Sequence, residues 1–315
     1  MKNGFVKYVV ATFIVIFLVA IMDQTVGVVM DCLSHSIPVT QDMGKGRFGR
    51  ESVSSDIVVV GSSRASHHYD VNRMADSLGC SVYNVGLDGC FFLDNCCMMH
   101  AILERYSPKM ILLEISCDAL YQESKNYLEG LYAYYWQDPY VKEIVNHEEG
   151  WLSGIKLLSC LYTYNANAFK TIGYGLKGVI KGDVEVDPLH GYAPLAFKPK
   201  KSELVLKSHT DDNPHSFTIS SWKVSLLTDL LRSARGKGVQ VVVITSPVFG
   251  YRNVSNQESQ MCITQICENE QSIYWDFSDQ AEFLQHPEWF NDGAHLNEIG
   301  AAKFTELVLD RLMLH

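Results

Sequence analysis

Five short apolar runs set the rhythm of the chain: Ile57–Val60, Ser81–Val85, Met110–Ile115, Val239–Thr245 and Ile273–Trp275. "VVVITSP" and "MILLEIS" are continuous and rich in aliphatic residues rather than alternating, the pattern of strands covered on both faces. Stretches of helical texture at about 71–78, 91–106, 216–236, 255–268 and 297–313 lie between or after these runs. Apolar runs alternating with helices predict an α/β protein, a three-layer α/β/α domain around a five-strand parallel sheet.

The rhythm stops between Asp118 and about residue 215. The text there, including "LYAYYWQDPYVKEIVNHEEGW", is aromatic-rich and mostly helical. It predicts a helical insertion of about 119–215 between the third and fourth strands. Ligands of open α/β sheets bind beyond the carboxyl ends of the strands. An insertion leaving there either walls the site or packs as an appendage. Residues 31–54 read as a polar connector, leaving 55–315 as the α/β domain with its insertion.

The first 30 residues carry a separate signal. In "MKNGFVKYVVATFIVIFLVAIMDQ", Lys2 and Lys7 precede an uncharged run from Tyr8 to Met22. The run is shorter than the ~20 residues of a full span, although its flanks extend it. A cleaved signal peptide has the same positive start and core length. No small-x-small cleavage site follows Ala20, which favours an N-terminal transmembrane helix as membrane anchor. Either reading keeps the positive end inside and places the main domain outside the cytoplasm, on the periplasmic or extracellular face.

Charge then removes one class of partner. The chain has 315 residues, with 36 acidic against 26 basic side chains and a formal net charge of −10. "KPKKSELVLK" is its only short basic cluster, so nucleic acid is not an expected partner. Nine cysteines cannot all pair internally. Cys96 and Cys97 are adjacent and Cys262 and Cys267 five apart, neither with metal-ligand spacing. They read as small buried hydrophobes. No cluster suggests a metal site, and no cofactor is expected.

The candidate chemistry begins at "DIVVVGSSRASHHYD", residues 56–70, a strand running through a tight turn into a helix. It lacks both the G-x-x-x-x-G-K-[ST] of a phosphate loop and the G-x-G-x-x-G of a dinucleotide fold. A serine at such a junction stands at the sheet's carboxyl edge, with backbone N–H groups nearby to hold an oxyanion. It needs a base and an acid from elsewhere. "WFNDGAHLNEIG" offers them: Asp292 and His295 lie three apart, close enough for the carboxylate to reach Nδ1 and turn Nε2 toward a serine. Asn297 suits the N-cap of the last helix.

These blocks resemble those of the SGNH or GDSL-type hydrolases. "GSSR" at 61–64 matches their nucleophile block with Ser63 in the serine place, and "DGAH" at 292–295 matches the block before the final helix. "NVGLDG" looks like the block whose glycine, here Gly86, donates an N–H to the oxyanion beside that of Ser63. The resemblance covers about residues 55–117 and 216–313 and implies a flavodoxin-like sheet and a Ser63–His295–Asp292 triad. With the anchor and insertion, the chain is similar to envelope-linked branches, the D-alanyl-transfer and alginate O-acetylation proteins. That implies an extracytoplasmic serine esterase or O-acyltransferase acting on acyl esters of envelope glycans, with a membrane acyl-donor protein as a possible partner. The alternative is a catalytically silent binding or assembly factor.

Two departures stand out. Ser62 replaces the usual Asp before the serine and is expected to cap the helix start. The third strand ends "LLEISCDAL", without the Asn that serves the family as a further oxyanion donor. Arg64 is a candidate contact for an acidic substrate group, with Asp70, Asp88 or Glu114 as competing partners. His67 and His68 read as packed histidines at the helix edge.

Overall fold

The computed structural model describes residues 2–122, 127–182, 187–197, 218–249 and 256–314. In chain order its elements are α1 (Lys2–His35), α2 (Asp42–Glu51), β1 (Ile57–Val60), α3 (Ser63–His68), α4 (Val71–Leu78), β2 (Val82–Asn84), α5 (Phe92–Arg105) and β3 (Met110–Glu114). Then come α6 (Pro139–Glu149), α7 (Ser153–Lys156), α8 (Cys160–Tyr164), α9 (Ala168–Lys181), α10 (Ser221–Gly236) and β4 (Gln240–Thr245). The chain closes with α11 (Asn256–Asn269), β5 (Ile273–Asp276), α12 (Ala281–Leu284) and α13 (Glu298–Met313). It divides into two compact units: Met1–Gly44 with Leu128–Val186, and Lys45–Tyr127 with Asp187–His315.

The second unit holds the sheet. Its five strands run parallel in the order β2-β1-β3-β4-β5, so the order reverses between β1 and β3. That is the flavodoxin-like arrangement, whose ligand crevice opens at the carboxyl ends beside the reversal. The apolar runs are continuous because both faces are covered. Ile57, Val59, Leu112, Val242 and Ile244 pack with Ala65, Tyr69 and Phe304 on the α3–α13 side. Val58, Ile111 and Val243 alternate to the other face and are fully buried. Each fully buried valine contributes roughly 1.5–3 kcal/mol. The five expected strands agree with the observed ones to within a residue at each end.

Two expectations about organisation change. The stretch 31–54, read as a polar connector, carries α1 to His35 and then forms α2. Within the α/β unit, Lys45 of α2 donates to Ser66 Oγ at 3.0 Å and to the Gly191 carbonyl at 3.1 Å, and is almost fully buried. Its polarity therefore serves buried hydrogen bonds rather than solvent. The insertion of 119–215 also divides: Leu128–Val186 belongs to the unit containing α1, and Asp187–Phe197 to the α/β unit. Residues 198–215 of it lie outside the described residues.

In the first unit, α8 and α9 pack on α1. Glycines make the approach possible: a Cβ at Gly27 would collide with Cys160, and one at Gly178 with the Ser36 carbonyl. Among the described residues no disulfide joins the cysteines.

Candidate active site

β1 delivers the chain to Gly61 at the carboxyl edge of the sheet. A Cβ there would stand 2.7 Å from the Cβ atoms of Ala65 and Glu114, so only glycine lets the turn close. Ser63 is the first residue of α3, leaving its N–H without an intrahelical acceptor. Ser62 occupies the N-cap, yet its side chain makes no cap hydrogen bond, contrary to expectation.

The partners arrive 232 residues later. Ser63 Oγ lies 2.7 Å from His295 Nε2. His295 Nδ1 faces both oxygens of Asp292, at 2.9 and 3.0 Å. A carboxylate there fixes the proton on Nδ1, so Nε2 accepts from the serine hydroxyl. The hairpin is locally made: Asp292 Oδ1 also accepts from the Ala294 N–H at 2.9 Å and the His295 N–H at 3.0 Å. Partial burial alone would raise the Asp292 pKa, but these donors outweigh it and hold the carboxyl below the usual range. Asn297 caps α13 as expected, accepting from the Ile299 and Gly300 N–H groups.

Gly86 requires correction. Its N–H, expected to face an oxyanion, donates to Asn84 Oδ1 at 2.9 Å. The Asn84 amide in turn donates to the Ala65 carbonyl at 2.7 Å, fastening the loop to α3. Gly86 is glycine for contact, since a Cβ would lie 2.6 Å from the Ser66 nitrogen. Gly89, in the turn closed by the Cys90 N–H on the Leu87 carbonyl, has φ +72 and open space where a Cβ would stand. Among the described residues no backbone carbonyl accepts from the Gly89 N–H. The aspartate–glycine pair 88–89 was the sequence signal for that turn.

Arg64 is corrected too. It is 6% exposed, and its Nε faces Glu114 Oε1 at 3.3 Å, one of the three competing partners. Its Nη2 is enclosed and has no partner among the described residues, out of reach of a substrate group. Glu114 is fully buried and also accepts from Tyr69 Oη at 2.5 Å and Ser246 Oγ at 2.9 Å. Burial raises its pKa against the pull of Arg64 and these donors. Cys117, three residues past the end of β3, is a buried thiol pushed up to about 12 by burial, unsuited to a thiolate role.

Sequence reading undervalued the two histidines behind the nucleophile. His68 is fully buried, with Nδ1 2.9 Å from Ser246 Oγ and Nε2 accepting from the Leu296 N–H at 2.9 Å. The Leu296 N–H must donate, so Nε2 is unprotonated and Nδ1–H bonds the serine. Burial, then Arg64 and the neighbouring histidines, push its pKa well below the ordinary value. A chain thus runs Glu114–Ser246–His68–Leu296, ending one residue past His295. His67 has acceptors at both ring nitrogens: the Ala193 carbonyl at 2.5 Å and the Asp88 carboxylate at 3.1 Å. Burial opposes its charge, but Asp88 and Ala193 together raise its pKa. Ala193 belongs to the 187–197 part of the insertion, which therefore lines the region behind the serine.

No family model and no curated protein matches the sequence. Among solved structures, the chain is similar to a lipase/acylhydrolase from Enterococcus faecalis, at 10% identity over 81% of this chain and 94% of that one, TM-score 0.41. It is similar also to TesA (12%, 81% and 97%, TM-score 0.42) and to an acetyl xylan esterase (10%, 82% and 97%, TM-score 0.40). Likeness of this degree says nothing of the site, which stands on the chain's own geometry.

Proposed function

We propose that the chain is an SGNH-like serine esterase or O-acyltransferase, acting on acyl esters outside the cytoplasm. The observation that carries this is the continuous line Ser63 Oγ, His295 Nε2, His295 Nδ1, Asp292, with each hydrogen bond between 2.7 and 3.0 Å. In the proposed step Ser63 Oγ bonds to an ester carbonyl carbon while His295 Nε2 takes its proton. The ester C–O bond then breaks and the leaving alcohol receives that proton. Water, or a hydroxyl of an envelope glycan, attacks the acyl-serine with its proton passing to His295, and Ser63 leaves protonated. Asp292 holds the imidazole and offsets its charge. The Ser63 N–H is proposed as an oxyanion donor, while the Gly86 N–H is held by Asn84.

α1 is proposed as an uncleaved anchor: it is long and apolar enough to span a bilayer. A membrane acyl-donor protein would make transfer the dominant outcome. The full chain is expected to be labelled covalently by a fluorophosphonate, and Ser63→Ala to abolish the label. A label that persists in Ser63→Ala sinks the assignment. The occupied Gly86 N–H and the missing Asn favour a second reading, a silent binding factor. It predicts no label on the wild type.

A further inference from the structure

Every residue of α1 from Gly4 to Met22 is exposed, and Asp23 is the first buried one. Nineteen helical residues span about 28 Å, close to the ~30 Å hydrocarbon thickness of a bilayer. Asp23 is also the first charge after Lys7. If α1 spans, the hydrocarbon boundary lies at Asp23, and whatever is tied there lies at headgroup level.

What is tied there is the start of α8. Asp23 accepts from Ser159 Oγ at 2.8 Å, the Cys160 N–H at 2.9 Å and the Leu161 N–H at 3.0 Å, and so caps the helix from another segment. Gln24 Nε2 donates to the Leu158 carbonyl at 3.1 Å. Around this point the surface is apolar. Trp151, Leu152, Ile155, Leu158, Leu161 and Phe169 are between 48% and 92% exposed. Composition supplies an independent sign. From Gly150 to Gly182 there is no Asp or Glu and there are four lysines, in a chain of net charge −10. Exposed apolar side chains with a tryptophan, lysines and no acids are what an interfacial segment presents to anionic headgroups.

We propose that residues 151–169 form a membrane-embedded foot, seated in the headgroup and upper acyl region of the leaflet from which α1 emerges. The occupant of this apolar surface is an anionic phospholipid bilayer. The proposal rests on α1 being an anchor. It extends that reading from one crossing helix to two points of membrane attachment, which limits rotation of the unit about α1.

The test uses the full chain in nanodiscs of phosphatidylcholine and phosphatidylglycerol, photolabelled with a carbene probe dissolved in the lipid and mapped by peptide. Label is expected on both α1 and residues 151–169. Brominated lipid is expected to quench tryptophan emission, with loss of that quenching in Trp151→Phe. Label on α1 alone, with equal quenching in wild type and Trp151→Phe, overturns the foot and leaves the anchor standing. An unlabelled 151–169 in particles holding two copies overturns it in favour of a contact between chains. A mature chain that begins beyond α1 removes the anchor instead.

Discussion

His295 and His68 stand with ring centroids 6.4 Å apart, and each is tied through Nδ1 to an acidic group. His295 reaches Asp292 directly, its side chain 26% exposed and its Nε2 aimed at Ser63. His68 reaches Glu114 through Ser246, is sealed from solvent, and has its Nε2 occupied by the Leu296 N–H. The two arrangements use similar parts for opposite ends. An open acid–histidine pair can pass a proton. A sealed one with both nitrogens committed can only hold its neighbours in place. Exposure and the commitment of Nε2, not residue type, separate them.

The largest expected effect lies on the open side. Asp292→Asn should lower turnover by about 10⁴ while leaving the fold intact, because the asparagine amide favours the wrong tautomer. Steady-state kinetics with a small acyl ester reads it, and a change below tenfold would break the contrast. On the sealed side Glu114→Gln should act on stability instead. It leaves Arg64 buried without its charge partner, and losing such a pair costs about 3–5 kcal/mol, read by denaturant unfolding. His68→Gln should lower turnover by about 10- to 100-fold, with KM unchanged and fluorophosphonate labelling retained, since His295 is displaced rather than removed.

Acidity sharpens the contrast further along α3. His68 is held neutral, so its contribution is present above the free-histidine value of about 6.5 and is lost as pH falls below it. The loss approaches about 1.4 kcal/mol per pH unit. The pKa of His67 is raised by Asp88 and Ala193, so its contribution is present below that value and disappears as pH rises through its higher folded pKa. Thermal unfolding between pH 5 and 8 should therefore flatten on the acid side in His68→Gln and on the neutral side in His67→Gln. The smallest effect is expected for Asn84→Ala, about 2 kcal/mol of stability for its two lost hydrogen bonds. A rise in turnover in that variant would restore Gly86 as an oxyanion donor.

The sheet and the Asp292–His295 contact were legible because each is written locally. Strands buried on both faces are runs of Val, Ile and Leu, and Asp292 reaches His295 within three residues. The sealed network was not legible, because Ser246 and Leu296 lie 178 and 228 residues from His68 and only the parallel crossovers unite them. Gly86 misled because a glycine after a strand looks the same whether it offers an N–H or only clears space for a helix. The 31–54 stretch misled for a related reason. Lys45 looks solvated in sequence, yet its long apolar stem lets the ammonium reach buried acceptors.

The 232-residue separation of Ser63 and His295 also bears on biogenesis. β1 leaves the ribosome long before α13, which packs on α3 and follows His295. If Ser63 and His295 act as proposed, a partly synthesised chain therefore carries the serine without its base. On the proposed mechanism, reactivity toward a fluorophosphonate should switch on only when α13 docks, making the label a reporter of completed folding.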